Sequence, residues 1–178
     1  MAIRPYPSQW EIDVEMAVMG RIRIRPIRPE DEPLYRDFFT AVTPQDYRLR
    51  FFGASLYHSH GFLARQTQID YAREMAFVAI APSSGALLGV VRLAADPDYV
   101  CAEYAILVRS VLKGKGLGWR LMQHLIAYAR AEGLKNIHGA VLADNSTMLK
   151  MCAELGFAVA PDPDDLSLRR VTLDLAPN

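Results

Sequence analysis

Gly114, Gly116 and Gly118 alternate along the chain after an aliphatic run and before a long amphipathic stretch. A strand that turns through such glycines into a helix N-terminus aims successive main-chain N–H groups at one point, where the helix dipole adds positive potential. Glycine suits the turn because it accepts positive φ and leaves no side chain to hold an anion away from the backbone. The chemistry implied is the binding of phosphate or pyrophosphate. Lys113 and Lys115 interleave with the glycines. Lys113 adds a cation to the cradle, while Lys115 either contacts a phosphate or faces solvent. The competing reading is a glycine-rich turn that begins an ordinary helix.

The spacing excludes two common phosphate loops. A dinucleotide fingerprint needs G-x-G-x-x-G and an acidic residue about 20 positions on, whereas His138 stands there, counted from Gly118. The nucleotide loop G-x-x-x-x-G-K-[ST] is absent from the sequence. Upstream, Glu103 is the sole carboxylate in the otherwise apolar run Tyr99–Val108. His58, His60, His124 and His138 do not fall at metal-ligand spacing with cysteines or carboxylates, so no metal is expected.

These residues must be positioned by the elements around them. Residues 1–20, with Pro5, Pro7 and a closing Gly20, read as an arm or a short extra strand. Arg21 to Pro29 alternates arginine with aliphatic residues, the period of a half-buried strand, and Pro26 points to an edge position. Acids and prolines from Pro29 to Pro33 start a helix with Leu34, Phe38 and Val42 as its apolar stripe. Thr43-Pro44-Gln45-Asp46 starts a second, which ends at Gly53, and Phe62 to Gln68 forms a short third. Together they can wall an acceptor site. Met75–Ile80 and Ala86–Ala94 make a hairpin, and Tyr99–Val108 runs into the glycine loop. Leu117, Leu121 and Leu125 fall four apart on a helix that Gly133 ends. Asn136–Leu142 is a strand, and Asp144 to Thr147 cap a helix with Met148, Met151, Cys152 and Leu155 on its buried side. Phe157–Val159 and Leu168–Leu175 close the chain as strands, which gives an α/β layered domain on one mixed sheet.

A chain of 178 residues, 51% hydrophobic, suffices for one domain with a substantial core but not for a second full domain. Formal net charge is zero, so no global field draws the chain to nucleic acid or to an anionic membrane, and anion binding has to be local. Cys101 and Cys152 are its two cysteines, a usage that suits a reducing compartment. No apolar run reaches the ~18 residues of a membrane span, and the N-terminus with Trp10, Glu11 and Asp13 lacks a signal-peptide core. A cytoplasmic location is expected.

Lys113-x-x-Gly116-x-Gly118 resembles the Q/R-x-x-G-x-G/A pyrophosphate loop of the GCN5-related N-acetyltransferases (GNAT). The chain is similar to that family from about Arg21 to Leu175, with Asn145 and Leu155-Gly156-Phe157 in the family's order. A narrower similarity is to the acetyltransferase domain of bacterial Pat-type protein lysine acetyltransferases. It is carried by Arg25 to Pro33, Arg50-Phe51-Phe52, Ile69 to Ala79 and Ala102-Glu103-Tyr104-Ala105. In many such proteins the domain follows one that resembles an ADP-forming acyl-CoA synthetase, and Ile3-Arg4-Pro5-Tyr6-Pro7 looks like the stretch where it would join.

The resemblance implies a GNAT fold: a mixed, mostly antiparallel central sheet of about seven strands flanked by helices, with residues 1–20 as an arm and 21–178 as the acetyltransferase domain. It implies acetyl-CoA as cosubstrate and an amine acceptor, most readily a protein lysine, with an acyl-CoA synthetase among the candidate partners. The backbone of Ile106, Leu107 and Val108 would run along the pantetheine arm, one N–H facing the thioester carbonyl. Lys113 and the amides of Gly114, Lys115, Gly116, Leu117, Gly118 and Trp119 would hold the pyrophosphate, and Asn145 would also bind the cosubstrate. Glu103 would lie beside the thioester as general base, its pKa raised by burial; the alternative is that it pairs with an arginine. Many relatives carry a tyrosine seven residues after the Asn145 position, placed to protonate the departing thiolate. Cys152 stands there in this chain, either as a weak proton donor at the cosubstrate or as a small buried helix residue. Two other functions fit the same sequence: acetylation of a small-molecule amine, and acyl-CoA sensing without turnover.

Overall fold

The computed structural model describes residues 4–53 and 59–176. Ile3 and His58, both used above, lie outside the described residues. Strands β1 (Ile12–Met16) and β2 (Gly20–Pro26) precede helices α1 (Glu32–Thr40), α2 (Pro44–Phe51) and α3 (His60–Thr67). Then come β3 (Glu74–Ile80), β4 (Leu87–Ala95), β5 (Cys101–Val108), α4 (Leu117–Ala131), β6 (Asn136–Leu142), α5 (Ser146–Glu154), β7 (Ala158–Pro161) and β8 (Leu168–Asp174). The sheet has eight strands in the order β1-β2-β3-β4-β5-β6-β8-β7. Every neighbouring pair is antiparallel except β5 and β6. The strand beyond the expected seven is β1, drawn from the stretch read as an arm or a short extra strand.

One expectation is corrected by this order: β2 is an interior strand, not an edge. Its Arg21 and Arg23 are not a free solvated stripe, because both bind Asp13 on β1. Arg25 forms a two-bonded pair with Asp31, each bond 2.7 Å. Pro26 is tolerated because the β1–β2 ladder ends at Ile12 and Ile24, two residues short of it, so its missing N–H faces no partner strand.

Alternation along the strands separates two cores. On one face Ile22, Ile24, Phe77, Val91, Tyr104 and Ile106 pack against Leu117, Leu121, Leu125 and Tyr128 of α4 and Cys152 of α5. On the other, Ile27, Val78, Val90 and Leu107 meet an aromatic group, Tyr35, Phe38 and Phe39 of α1 with Tyr47 of α2. β3 is buried on both faces from Met75 to Ile80, which is why its sequence is a continuous apolar run without alternation. The N-terminal stretch is fixed to α4: the Trp10 carbonyl lies 2.9 Å from His124 Nε2 and the Trp10 ring sits edge-on to Tyr128.

Helix α2 is delimited by local chemistry. Thr43 Oγ1 accepts from Asp46 N–H at 3.2 Å, with Pro44 at the first helical position. The helix stops one residue earlier than the glycine suggested, because Phe52 itself takes the left-handed conformation (φ 58°) before Gly53.

Candidate active site

The site originates in incomplete pairing of two parallel strands. β5 pairs β6 only from Cys101 to Glu103. Beyond that, β5 stays with β4 as far as Val108 while β6 stays with β8 as far as Leu142. The strands therefore part, and the β6-facing main-chain edge of β5 from Tyr104 onward is left without a strand partner. Tyr104 sits at the fork. Its ring covers Gly139 of β6 so closely that a Cβ there would lie 2.6 Å from Tyr104 Cε1.

A cavity of about 500 Å³ opens in this fork. Its lining includes β5 from Glu103 to Val108, the loop residues Lys113, Gly114, Gly116, Gly118 and Trp119, and Asn145 at the start of α5. Its remaining walls come from Leu112, from Ala140 and Val141 of β6, from Asp46, Leu49, Arg50 and Phe52 around α2, and from Thr147, Met148, Lys150, Met151 and Glu154 of α5.

At the loop end, Gly114 (φ 74°) and Gly116 (φ 86°) carry the chain into α4, and Gly116 is a helix N-cap with no side-chain capping bond. The N–H groups of Leu117, Gly118 and Trp119 have no acceptor among the described residues. Gly118 leaves room beside them, since a Cβ there would meet nothing closer than 3.8 Å. Lys113 lines the cavity, with its ammonium on the Asp46 carboxylate. Burial pushes the Asp46 carboxyl up, but the Lys113 and Ser110 hydrogen bonds and the Lys113 charge outweigh it, and the net direction is down. Arg48 reaches Asp144 at 2.8 Å, so α2 is tied both to the loop and to the segment before α5.

The side chains of three residues expected at the cosubstrate site lie off the cavity. Lys115 is exposed and does not line the cavity. The Leu117 side chain is 1% exposed in the core under α4, so only its N–H can serve the loop. Cys152 is fully buried, off the cavity, with its Sγ 3.1 Å from the Tyr104 hydroxyl. Burial pushes both the Cys152 thiol and the Tyr104 phenol up. Cys152 is thus the small buried helix residue of the two readings. Asn145 does line the cavity, and its Oδ1 caps α5 by accepting from Met148 N–H at 3.2 Å.

Glu103 stands at the fork, but it is exposed and not buried as expected. The reason is strand alternation: Ala102, Tyr104 and Ile106 face the α4 core, which turns Glu103 to the open side. Nor is it ion-paired with an arginine among the described residues. Sequence reading anticipated the wall formed by the first helices but not which of its residues reach the cavity. The signal lay in Tyr47 and Phe51, four apart and packed in the aromatic core, which places Leu49, Arg50 and Phe52 to either side of that stripe. Of the histidines, His60 pairs with Glu32 and His124 is buried against Trp10.

A model of the acetyltransferase (GNAT) family matches residues 32–157, the span that holds the parted strands and the glycine loop. The chain belongs to the GNAT acetyltransferases. An acetyltransferase of Pseudomonas aeruginosa is 36% identical over 155 residues, 85% of this chain and 83% of that protein. The crystal structure of the GNAT domain of S. lividans PAT superposes with a TM-score of 0.87 at 26% identity, covering 96% of this chain and 99% of that one. Spermidine N-acetyltransferase of Vibrio cholerae, solved with CoA and spermine, shares the GNAT fold at TM-score 0.72 and 18% identity, over 86% and 95% of the two chains.

GNAT acetyltransferases use acetyl-CoA, and the residues present suit it. The unpaired edge of β5 offers hydrogen bonds to an amide-bearing arm, and the free N–H groups at the start of α4 suit a pyrophosphate.

Proposed function

We propose that this GNAT acetyltransferase moves the acetyl group of acetyl-CoA directly to a primary amine, with Glu103 as general base and a protein lysine as the acceptor. The observation that carries the reading is the placement of Glu103: a carboxylate without an ion-pair partner among the described residues, facing the cavity where β5 leaves β6. A lysine with a pKa near 10.4 is neutral in only roughly one molecule in a few thousand at pH 7. A carboxylate that takes the ammonium proton, directly or through water, raises that share at the site. The amine nitrogen then bonds the acetyl carbon and gives its second proton to water, the carbon–sulfur bond breaks, and the sulfur takes a proton back from water, since Cys152 is out of reach; Glu103 returns the ammonium proton to solvent.

Main-chain N–H groups of Ile106–Val108 would stabilise charge developing on the carbonyl oxygen. Those from Gly114 to Trp119, with Lys113, would hold the pyrophosphate. Protein lysine rests on the sequence resemblance to Pat-type protein lysine acetyltransferases, and the S. lividans PAT domain is alike in fold over nearly the full length of both chains. An acyl-CoA synthetase is the candidate protein partner on the same ground. A small-molecule amine is the second reading, favoured by an arginine in the cavity that is taken up below.

The test is CoA release from acetyl-CoA with an acyl-CoA synthetase, with free amines and with no acceptor. Release that depends on an amine supports the proposal, and a synthetase preferred over free amines supports the lysine assignment. Tight acetyl-CoA binding with no acceptor-dependent release would overturn it in favour of sensing.

A further inference from the structure

Arg50 differs from the other half-buried arginines. Arg25, Arg28, Arg48, Arg92, Arg109, Arg120 and Arg169 each donate to a carboxylate, a carbonyl or an amide oxygen. Arg50 has no hydrogen-bond or ion-pair partner among the described residues; its one contact of this kind is with the Phe51 ring, whose centroid is 4.4 Å from its Cζ. It lines the main cavity together with Glu103. It also lines a small adjoining hollow with Tyr35, Gln66, Arg92 and Ala105, so its side chain stands between the two spaces.

The charges around it leave an unbalanced cation. Arg92, from β4, repels it and is itself held by the Gln66 carbonyl at 2.7 Å and by Glu74 at 3.8 Å. Glu103, from β5, attracts it without reaching ion-pair distance. Asp46, one turn back on α2, is engaged by Lys113. Packing around the guanidinium pushes its pKa down, the direction expected of a charge short of water and of a counterion. A guanidinium presents a planar fork of donors matched to a carboxylate.

We propose that Arg50 is a carboxylate-binding residue of the acceptor site, so that this enzyme prefers amines bearing a carboxylate a few bonds away. The inference rests on the acetyltransferase reading above and, for the acceptor, narrows its second reading, a small-molecule amine. Glu103 takes the proton from the amine while Arg50 holds the carboxylate of the same molecule. Two sources carry that chemistry, the α-carboxylate of a free amino acid and an acidic side chain next to a lysine in a peptide. Arg50 lines one cavity with Glu103 and backs onto the small hollow behind it, which favours the compact free amino acid.

The experiment uses matched acceptors: α-amino acids against their amides, and lysine peptides with Asp against Asn beside the lysine. CoA release is followed for the wild-type chain and for Arg50→Met, and calorimetry measures binding of the same acceptors to the CoA-loaded protein. The site predicts a preference in kcat/KM for the carboxylate on the order of 10–100-fold, lost in Arg50→Met. The pair that shows it identifies the source. Equal turnover of carboxylate and amide overturns the site and leaves the acetyltransferase reading standing. A pH profile displaced equally for both acceptors in Arg50→Met also overturns it, because Arg50 would then act only through Glu103. Carboxylate-selective binding that Arg50→Met abolishes, without any CoA release, keeps the site and sinks the catalytic reading. Absence of both selective binding and release sinks the two together.

Discussion

The two ends of the cavity recognise by different means. At the glycine loop the groups that face it are mostly main-chain: N–H groups at the start of α4, opened by the positive φ of Gly114 and Gly116, plus the unpaired edge of β5. At the α2 end they are side chains, Leu49, Arg50 and Phe52 with Glu103 opposite. Main-chain recognition depends on conformation and tolerates change in most neighbouring side chains, whereas side-chain recognition changes with single substitutions. One end therefore suits an invariant cosubstrate and the other a selected acceptor. The Asp46–Lys113 and Arg48–Asp144 pairs join the two ends through α2.

The largest expected effect lies at the side-chain end. Glu103→Gln should lower kcat at neutral pH by roughly 10²–10⁴-fold, with the acetyl-CoA dissociation constant held within about twofold; steady-state rates beside calorimetric titration separate the two. An unchanged rate would remove the catalytic half of the contrast. At the loop, Gly116→Asp forces an L residue into positive φ and adds a negative charge to the anion cradle. Acetyl-CoA affinity should fall by roughly 100-fold. Lys113→Met, which removes a side-chain cation but leaves the N–H groups in place, should weaken binding by about 10-fold only. The reverse ranking in titration would show that this end also works through side chains.

The fork offers a test by stability. Gly139→Val sets carbon into the Tyr104 ring, and overpacking of this kind destabilises by about 1–3 kcal/mol, a Tm drop of roughly 3–10 °C in a thermal melt. The joint between the ends has a pH signature. Because the folded pKa of Asp46 lies below the ordinary carboxylate value, its stabilisation is complete above about pH 4 and is lost as pH falls through the folded value. Denaturant unfolding of Asp46→Asn against the wild type should show the widest stability gap near neutrality, closing on acidification. The smallest effect belongs to Cys152→Ala, about 1 kcal/mol of stability with kcat within about twofold. A large kcat loss would bring the buried thiol back into the chemistry.

Much of the fold was legible because its signals are local. Thr43 and Pro44 start α2 by capping, Leu117, Leu121 and Leu125 face one core by helical period, and Gly133 (φ 77°) ends the turn after α4. The arginine strand β2 misled, because periodicity records that one face is polar and not whether another strand lies alongside. The exposure of Glu103 was missed for a related reason. An apolar run marks a strand as covered, but how far the face turned away from α4 stays open depends on where the first helices pack.

By itself the sequence determined the glycine loop, since glycines between a strand and a helix fix backbone conformation through neighbouring residues alone, as Gly114 and Gly116 do with positive φ. It also placed Glu103 on the strand leading there. Only the tertiary structure decided that Asp46 meets Lys113 across 67 positions of sequence, that Tyr104 turns its hydroxyl to Cys152, and that Arg50 faces the cavity without a counterion among the described residues. Those facts depend on where distant segments pack, and short-range periodicity carries no record of a partner brought near by the fold.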